Sequence, residues 1–293
     1  MARPAEIYSL RSRLQITSTV IEDEIARNAR HKLMTKYGWI YDLIYPDFMR
    51  RMKSQNELLD LEIKRRKLKN SVLELGSGSG RQSWLLERDF GYDVHALEIC
   101  PEMVALGRPK LGERIQLGDA RNFQSSEKIG AVLLGPLVTC YFLENEVLRQ
   151  TFKCAVQSLQ KGGLIFVDFI HAKIVLQDPF YNGFSNQQFR FSAPERGITK
   201  AFINRFHECH LELTENPKYS WKSTYIFDYD GKISTDEDTV LLRTFFPSEV
   251  ESLLRESGFE NVRFFGCDGE KVFPLGPDQK LVSFIAVAEA SEK

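Results

Sequence analysis

Short apolar runs alternate with amphipathic stretches through the middle of the chain. The runs that have the length of buried strands are residues 71–75, 93–98, 114–117, 131–134 and 164–169. The stretches of helical character between them are residues 79–89, 101–107 and 146–159. Strands that alternate with helices are typical of a mostly parallel sheet with helices on both faces. The pattern therefore predicts an α/β fold for this part of the chain.

A different pattern begins after strand five. Residues 198–213 and 219–229 are long and rich in β-branched and aromatic side chains, and the turn signal Asp230-Gly231 follows them. We expect an antiparallel β-rich insertion over residues 172–246 that covers the substrate. The later elements, which would complete a seven-stranded sheet, are a helix at 247–257 and strands at 261–265 and 281–288.

The N-terminal region has a third pattern, polar and helix-prone. Helices are predicted at 21–34 and 48–69, and an aromatic segment at 37–46 separates them. We therefore expect residues 1–70 to form a helical lid over a domain at 71–293.

Composition and charge exclude several classes of protein. Charges nearly cancel, with 39 Lys and Arg against 40 Asp and Glu, which argues against nucleic acid as a partner. No apolar run approaches the roughly 18 residues of a membrane span, and the first residues have no apolar signal region. The five cysteines are widely spaced and include no CxxC pair, which predicts free thiols in the cytoplasm.

The strongest chemical signal is the string VLELGSGSG at residues 72–80. A predicted buried strand leads into Gly76, Gly78 and Gly80, and a helix follows. Glycines suit such a loop because its turn requires backbone angles that a Cβ disfavours, and because a ligand must approach bare backbone amides. The spacing GxGxG differs from the GxGxxG of dinucleotide-binding proteins. A tight turn without a ligand is the alternative.

Two acidic residues lie at the predicted ends of the next two strands. Glu98 follows the middle glycine by 20 residues and ends strand two, and Asp119 ends strand three. A carboxylate at the tip of strand two can accept both ribose hydroxyls of a nucleoside. Taken singly, each acid has an alternative as a solvated charge at a strand end.

The glycine loop and the two acids, in this order, resemble the cofactor site of class I S-adenosylmethionine-dependent methyltransferases. The resemblance implies a Rossmann-like seven-stranded sheet and S-adenosyl-L-methionine as the cofactor. It implies that the loop wraps the methionine part, that Glu98 accepts the ribose hydroxyls and that Asp119 accepts the adenine amino group. The cofactor-binding residues that it implies are Glu74, Gly76, Gly78, Gly80, Arg81, Glu98, Ile99, Asp119, Ala120, Gly135 and Tyr45.

The insertion after strand five and the C-terminal string FFPSEV…LLRESGF narrow the resemblance. They are similar to small-molecule N-methyltransferases of the glycine/sarcosine and amino-sugar types. That similarity implies methyl transfer to a nitrogen or oxygen of a small-molecule acceptor, with nitrogen favoured. Strand four ends in GPLVTCY. It lacks the Asp/Asn-Pro-Pro-Tyr/Phe motif of adenine-N6 and glutamine-N methyltransferases, which argues against those acceptors.

Two residues are the candidates for catalysis. Transfer from a sulfonium requires mainly that the nucleophile be aligned and water excluded. His171 follows strand five and is expected at the mouth of the pocket as a base or acceptor ligand; a histidine that caps a loop is the alternative. Tyr41 is expected to contact cofactor or acceptor from the lid, together with Tyr37 and Trp39; ordinary helix packing is the alternative.

Other interpretations stay open. An aminopropyl transferase would require paired acids after strand four, and a non-catalytic binding module would retain only the fold. The cluster HECH at 207–210 resembles a metal site, but on a strand His207 and Cys209 face one side while Glu208 and His210 face the other, so we expect no metal. The basic run at 64–69 is expected to be a solvated helix face. The antiparallel strands could also pair across a homodimer.

Overall fold

The structure, a computed structural model, describes residues 14–45, 48–276 and 281–291. Its strands are β1 (Ile16–Ser18), β2 (Ser71–Leu75), β3 (Asp93–Glu98), β4 (Ile115–Leu117), β5 (Phe123–Ser125), β6 (Ile129–Leu134), β7 (Leu159–Phe169), β8 (Gly183–Ala193), β9 (Ile198–Glu212), β10 (Lys218–Tyr229), β11 (Lys232–Arg243), β12 (Phe259–Cys267), β13 (Val272–Pro274) and β14 (Ser283–Ala290). Its α-helices are α1 (Glu24–Ala29), α2 (Gly38–Ile44), α3 (Phe48–Arg66), α4 (Arg81–Phe90), α5 (Pro101–Leu111), α6 (Asn145–Ser158), α7 (Ala172–Gln177) and α8 (Pro247–Glu256).

The central sheet has the strand order β13-β12-β14-β7-β6-β2-β3-β4. The strands from β7 to β4 are parallel, and β14 runs antiparallel to β7. The predicted α/β sheet is therefore confirmed. The short edge strand β13 adds an eighth strand to the seven that the sequence predicts.

Helices cover both faces of this sheet because its central strands are apolar on both sides. On one face, Leu73 of β2 packs in a core with Phe152 of α6 and Leu254 of α8. On the other face, Val72 of β2 packs in a core that contains residues of α3 and α4, among them Leu59. Parallel strands with this double cover end at one edge of the sheet, so the loops after β2, β3, β6 and β7 lie together.

The insertion is a second, four-stranded antiparallel sheet with the order β11-β10-β9-β8. It lies within the predicted residues 172–246, but the sequence analysis missed strand β8 and helix α7. Polar side chains such as Asn186 and Gln188 alternate along β8 with residues that face the interior, and this pattern hides a strand in a search for apolar runs.

The N-terminal region differs from the prediction. The helix predicted at 21–34 is wrong beyond Ala29, where α1 ends. The backbone N–H groups of Lys32 and Leu33 instead donate to the carboxylate of Asp238 on β11, at 3.1 and 2.8 Å. Contacts also cross the predicted boundary at residue 70, since β1 pairs with β5. The division into a lid and a domain stays a prediction, and residues 1–13 lie outside the described residues.

Candidate cofactor and acceptor site

One cavity of about 340 Å³ joins the carboxyl edge of the central sheet to the inner face of the antiparallel sheet. This volume lies in the range of small-molecule sites. The sequence-predicted residues that line it are Tyr41, Tyr45, Glu74, Gly76, Gly78, Arg81, Glu98, Ile99, Asp119, Ala120 and Gly135. The fold thus brings together every predicted cofactor residue except Gly80, and one of the two catalytic candidates.

The loop after β2 has a left-handed backbone at its glycines. The angle φ is +68° at Gly76 and +56° at Gly78. A Cβ at Gly76 would lie 2.5 Å from Cγ1 of Val138, whereas a Cβ at Gly78 would come no closer than 3.7 Å to any other residue, at Cε of Met103. Gly78 therefore presents bare backbone to open space, as a ligand cradle requires.

Gly80 is set apart from the other predicted cofactor residues by its surroundings. A Cβ there would lie 2.6 Å from Cδ1 of Leu111, and Gly80 is absent from the described lining of the cavity. Gly80 is the N-cap of α4, with φ at +72°. Its missing side chain allows α4 to pack closely against α5, and a contact of Gly80 with the cofactor stays a prediction.

Glu98 ties the end of β3 to the glycine loop. Its Oε2 accepts the backbone N–H of Gly78 at 2.7 Å, and its Oε1 accepts the N–H of Cys100 at 2.9 Å. Burial raises the pKa of Glu98, although these hydrogen bonds oppose the shift. Each oxygen retains a second lone pair that a ribose hydroxyl could use.

Glu74 is buried beneath the same loop. Its Oε2 accepts the backbone N–H of Ser83 at 3.0 Å and also the hydroxyl of Ser83. Burial raises the pKa of Glu74 to about 7, and the bonds from Ser83 only partly oppose this. Its Oε1 is directed toward Gly135, where a Cβ would lie 3.4 Å away. An ammonium group in this corner of the cavity would favour the charged form of Glu74 and pair with it.

Asp119 already has strong partners inside the protein. Its Oδ1 accepts from the backbone N and from Nε of Arg121, both at 2.9 Å. Its Oδ2 accepts from Nη2 of Arg121 at 2.7 Å and from the N–H of Ile21 at 3.2 Å. A carboxylate has about four acceptor positions, and these four bonds use them. The predicted contact of Asp119 with adenine stays a prediction, and it would require one of these bonds to be exchanged.

Helix α2 is bound to the glycine loop through Asp42. This carboxylate accepts the hydroxyl of Ser79 at 2.7 Å and pairs with Nε of Arg81 at 3.0 Å. Nη1 of Arg81 donates to the carbonyl of Tyr45 at 2.9 Å. Nη2 of Arg81 and Oγ of Ser77 are buried without a hydrogen-bond partner among the described residues. Such donors at a cavity wall fit the carboxylate that the methionine part of the predicted cofactor carries.

His171 is not placed as the sequence suggested. It does not belong to the described lining of the cavity. Its Nδ1 accepts the backbone N–H of Lys173 at 3.1 Å, so it is the N-cap of α7, and its ring packs on Phe246 and Phe284. Burial and the nearby Lys173 lower its pKa. This position matches the capping alternative, because the chain after β7 turns away toward Phe245, and a catalytic role for His171 stays a prediction.

A different histidine, which the sequence analysis missed, lines the cavity. Nδ1 of His31 lies 2.7 Å from Oδ2 of Asp238, and Nε2 lies 3.0 Å from the hydroxyl of Tyr141. Asp238 also accepts two backbone N–H groups and is therefore an acceptor, which assigns the ring proton to Nδ1 and leaves Nε2 to accept from Tyr141. Although burial raises the pKa of Asp238, its bonds with His31 and with the backbone hold that pKa below the usual value. No local pattern in residues 21–34 indicates this cluster.

The far wall of the cavity is aromatic and belongs to the insertion. Tyr219 and Tyr225 of β10 are buried, and Trp221 lies between them on the same face. The hydroxyl of Tyr219 is buried without a hydrogen-bond partner among the described residues. Tyr41 also lines the cavity, with its ring centroid 5.8 Å from the guanidinium of Arg81. This wall is apolar with few polar groups, which is typical of a site for an organic acceptor.

The HECH cluster at 207–210 is divided between the two faces of β9. The described residues contain no group of three His, Cys, Asp or Glu side chains arranged to hold a metal. His207 and Cys209 are buried on one face of β9, while His210 lies on the opposite face beside Glu208, as predicted. Among the described helices, none has the length and apolar character required to cross a membrane.

Comparisons with known proteins agree with this geometry. Residues 72–163 match the family described as methyltransferase domain. An S-adenosylmethionine-dependent methyltransferase from Clostridium acetobutylicum ATCC 824 has a similar structure, with a TM-score of 0.65 and 14% identity over 87% of this chain and 98% of that chain. The sugar N-methyltransferase KedS8 from Streptoalloteichus sp ATCC 53650 gives a TM-score of 0.66 and 16% identity over 94% and 98% of the two chains. SAM-bound CalS10, an amino pentose methyltransferase from Micromonospora echinaspora, gives 0.59 and 16% over 94% and 100%.

Because the sequence identities to these structures are low, the structural similarities establish only a shared fold. A search of curated proteins found no match. The match over residues 72–163 identifies a methyltransferase domain in that part of the chain, and the cradle at Gly78 with the buried donors of Arg81 and Ser77 fits S-adenosylmethionine. Residues 72–163 therefore form a methyltransferase domain, and the chain has the fold of S-adenosylmethionine-dependent methyltransferases.

Proposed function

We propose that the protein transfers a methyl group from S-adenosylmethionine to a nitrogen of a small organic acceptor in the cytoplasm. The observation that carries this proposal is that the same cavity is lined by the glycine loop and by the cluster of His31, Asp238 and Tyr141. A cofactor held at one end and a proton acceptor at the other are what methyl transfer to a protonated nucleophile requires.

The residues at the carboxyl edge of the central sheet would hold the cofactor. The free donors of Arg81 and Ser77 would take its carboxylate, Glu74 and the backbone near Gly135 would face its ammonium group, and Glu98 would accept its ribose hydroxyls. When bound, S-adenosylmethionine supplies an activated methyl group on a sulfonium. Tyr41 and Tyr45 would cover it and exclude water.

The cluster around His31 would accept a proton from the acceptor. Burial raises the pKa of the Tyr141 phenol well above its ordinary value, so this hydroxyl stays neutral near pH 7. It can take a proton from an acceptor ammonium only if it passes its own proton to Nε2 of His31, 3.0 Å away. The carboxylate of Asp238, 2.7 Å from Nδ1, would stabilise the imidazolium that forms. The relay thus leaves a free lone pair on the acceptor nitrogen.

Nitrogen is favoured over oxygen because two of the similar structures are named as a sugar N-methyltransferase and an amino pentose methyltransferase. The relay could equally serve a hydroxyl, so O-methylation is the second candidate. Aminopropyl transfer is less well supported, since the cavity wall after β6 is formed by Gly135, Pro136, Leu137 and Val138 and contains no pair of acids.

The test is a methyl-transfer assay with a panel of small amines, including amino sugars, and S-adenosylmethionine as the donor. We expect His31→Asn to lower kcat by about 10²- to 10⁴-fold, the usual contribution of a general base, with unchanged cofactor affinity by calorimetry. His171→Ala is the matched control, because His171 lies outside the cavity, and it should retain turnover. If the His31→Asn variant has wild-type activity, the proposed relay is ruled out. If the wild-type protein does not bind the donor, the whole proposal is overturned.

A further inference from the structure

The inner face of the antiparallel sheet contains an arginine for which the mechanism above has no use. Arg205 of β9 is 2% exposed and lines the acceptor end of the cavity. Its guanidinium lies over three aromatic rings, 5.3 Å from the centroid of Tyr45, 5.4 Å from Phe189 and 6.0 Å from Tyr225. Such a box attracts a cation but does not neutralise it.

Every other arginine that lines the cavity has a carboxylate partner. Arg51 pairs with Asp168 at 2.6 Å, Arg81 with Asp42 at 3.0 Å, and Arg121 with Asp119 at 2.7 Å. Among the described residues, Arg205 has none within ion-pair distance, and its buried Nε has no hydrogen-bond partner. A guanidinium is charged at any physiological pH, and a buried charge is costly unless it is paired.

A chain of hydrogen bonds holds the Arg205 side chain in place. Its Nη2 donates to Oε1 of Gln187, the neighbour across the β8–β9 pair. Nε2 of His207 lies 3.0 Å from the same Oε1, and Nδ1 of His207 accepts the indole N–H of Trp221. Because an indole nitrogen only donates, His207 is neutral with its proton on Nε2. Burial, assisted by the charge of Arg205, lowers the pKa of His207 to about 3, so this arrangement persists near neutral pH.

The arrangement is therefore an anchored cation that lines a cavity and that, among the described residues, has no carboxylate partner and retains a buried N–H without a hydrogen-bond partner. We propose that the methyl acceptor carries an oxyanion, a carboxylate in the first instance, and that Arg205 binds it. This inference rests on the proposed function and adds the chemical class of the acceptor. The planar fork of an arginine matches the two oxygens of a carboxylate, and the amide of Gln187 adds a donor beside it.

Sheet geometry sets the scale of such an acceptor. Arg205 is paired with Tyr225, and Ser223, two residues before Tyr225 on β10, is paired with Asp238 on β11. Two strand spacings and one two-residue step separate the Cα atoms of Arg205 and Asp238 by about 12 Å. Since both side chains extend from the same face into the cavity, a molecule of amino-acid or amino-sugar-acid size could contact Arg205 with its oxyanion and approach the His31 relay with its amine.

Binding measured without turnover tests the inference directly. The probes are acetate, benzoate and 3-phenylpropionate, each compared with its primary amide, titrated by calorimetry into protein saturated with S-adenosylhomocysteine. We expect at least one carboxylate to bind about tenfold or more tightly than its amide, because an amide lacks the charge that a charged hydrogen bond requires. Equal affinity for every pair, or no carboxylate bound at millimolar concentration, would overturn the inference.

Variants then test whether Arg205 causes the preference for a carboxylate over its amide. Arg205→Met should bring carboxylate and amide within about twofold of each other, and Arg205→Lys, which keeps the charge but loses the fork, should fall between. Arg190→Met is the matched control, since Arg190 is exposed on the neighbouring strand β8, and it should keep the wild-type preference. Retention of the preference in Arg205→Met would also overturn the inference.

Cofactor affinity separates this inference from the proposed function. Both Arg205 variants should bind S-adenosylmethionine as the wild-type protein does, which also shows that they are folded. If the protein binds the donor but methylates neutral amines as fast as amino acids, only the role of Arg205 would be ruled out. If the wild-type protein does not bind the donor, the proposed function itself would be ruled out.

Discussion

Gly78 offers the sharpest test of the cofactor cradle. We expect Gly78→Ala to lower the affinity for S-adenosylmethionine. Its cost in folding stability should be only the free energy of placing a side chain in the left-handed region. The residue has φ at +56°, which costs a side chain about 1–2 kcal/mol. No steric cost adds to this, because the new Cβ would be 3.7 Å from its nearest neighbour. The methyl group would project into the space where the cofactor meets the backbone, so the affinity should fall by about tenfold or more, as expected for overpacking of a fitted contact.

Two other glycines separate the torsional cost from the steric cost. Gly231 has φ at +85° and nothing within 4 Å of an added Cβ, so Gly231→Ala should cost about 1–2 kcal/mol and leave cofactor affinity unchanged. Gly76→Ala should cost about 1–3 kcal/mol more than either, because its Cβ would lie 2.5 Å from Cγ1 of Val138. Adding Val138→Ala to that variant should relieve only the steric part.

Denaturant unfolding measures the stability of each variant, and calorimetric titration with S-adenosylmethionine measures its affinity. The reasoning is refuted by a folded Gly78→Ala protein that binds the cofactor as tightly as the wild-type protein. It is also refuted if Gly231→Ala loses as much affinity, because the loss would then not come from the cradle.

Two further predictions concern buried charges. Arg121→Met leaves the buried carboxylate of Asp119 without its cation, so the free energy of unfolding should fall by about 3 kcal/mol; a loss below about 1 kcal/mol in denaturant unfolding would contradict this pairing. Burial raises the pKa of Glu74 from 4.5 to about 7, so the folded state binds the proton more tightly than the unfolded state. Stability should therefore decrease as pH rises through this interval. Glu74→Gln should flatten that slope in unfolding measured across the same pH range, and an unchanged slope would assign the pH dependence to other groups.

Asp119 is also connected to the N-terminal segment that leads to His31. Arg121 links Asp119 to Asp23, the N-cap of α1, with Nη1 of Arg121 2.5 Å from Oδ2 of Asp23. Helix α1 leads directly to His31 in the acceptor end of the cavity. This physical connection between Asp119 and the segment that leads to His31 is visible only in the folded protein.

The sequence by itself determined the elements whose cause is local. Alternating strands and helices predicted the parallel sheet, since burial on two faces imposes apolar runs. The sequence also predicts Gly76, Gly78 and Glu98 at one edge of the sheet, because a tight loop and the tip of a parallel strand lie there wherever the rest of the chain lies. Glu74 is added by the family resemblance alone.

Only the tertiary structure decided the roles that depend on distant partners. His31 and Asp238 are 207 residues apart. His31 lies outside a helix and can take part in the proposed relay because the carboxylate of Asp238 hydrogen-bonds to its ring and to the backbone N–H of Leu33. His171 becomes a helix cap because β7 meets Phe245. Arg205 becomes a binding group because folding buries it among aromatic rings without a carboxylate. Burial and charge pairing act through space, so a pattern along the chain does not contain them.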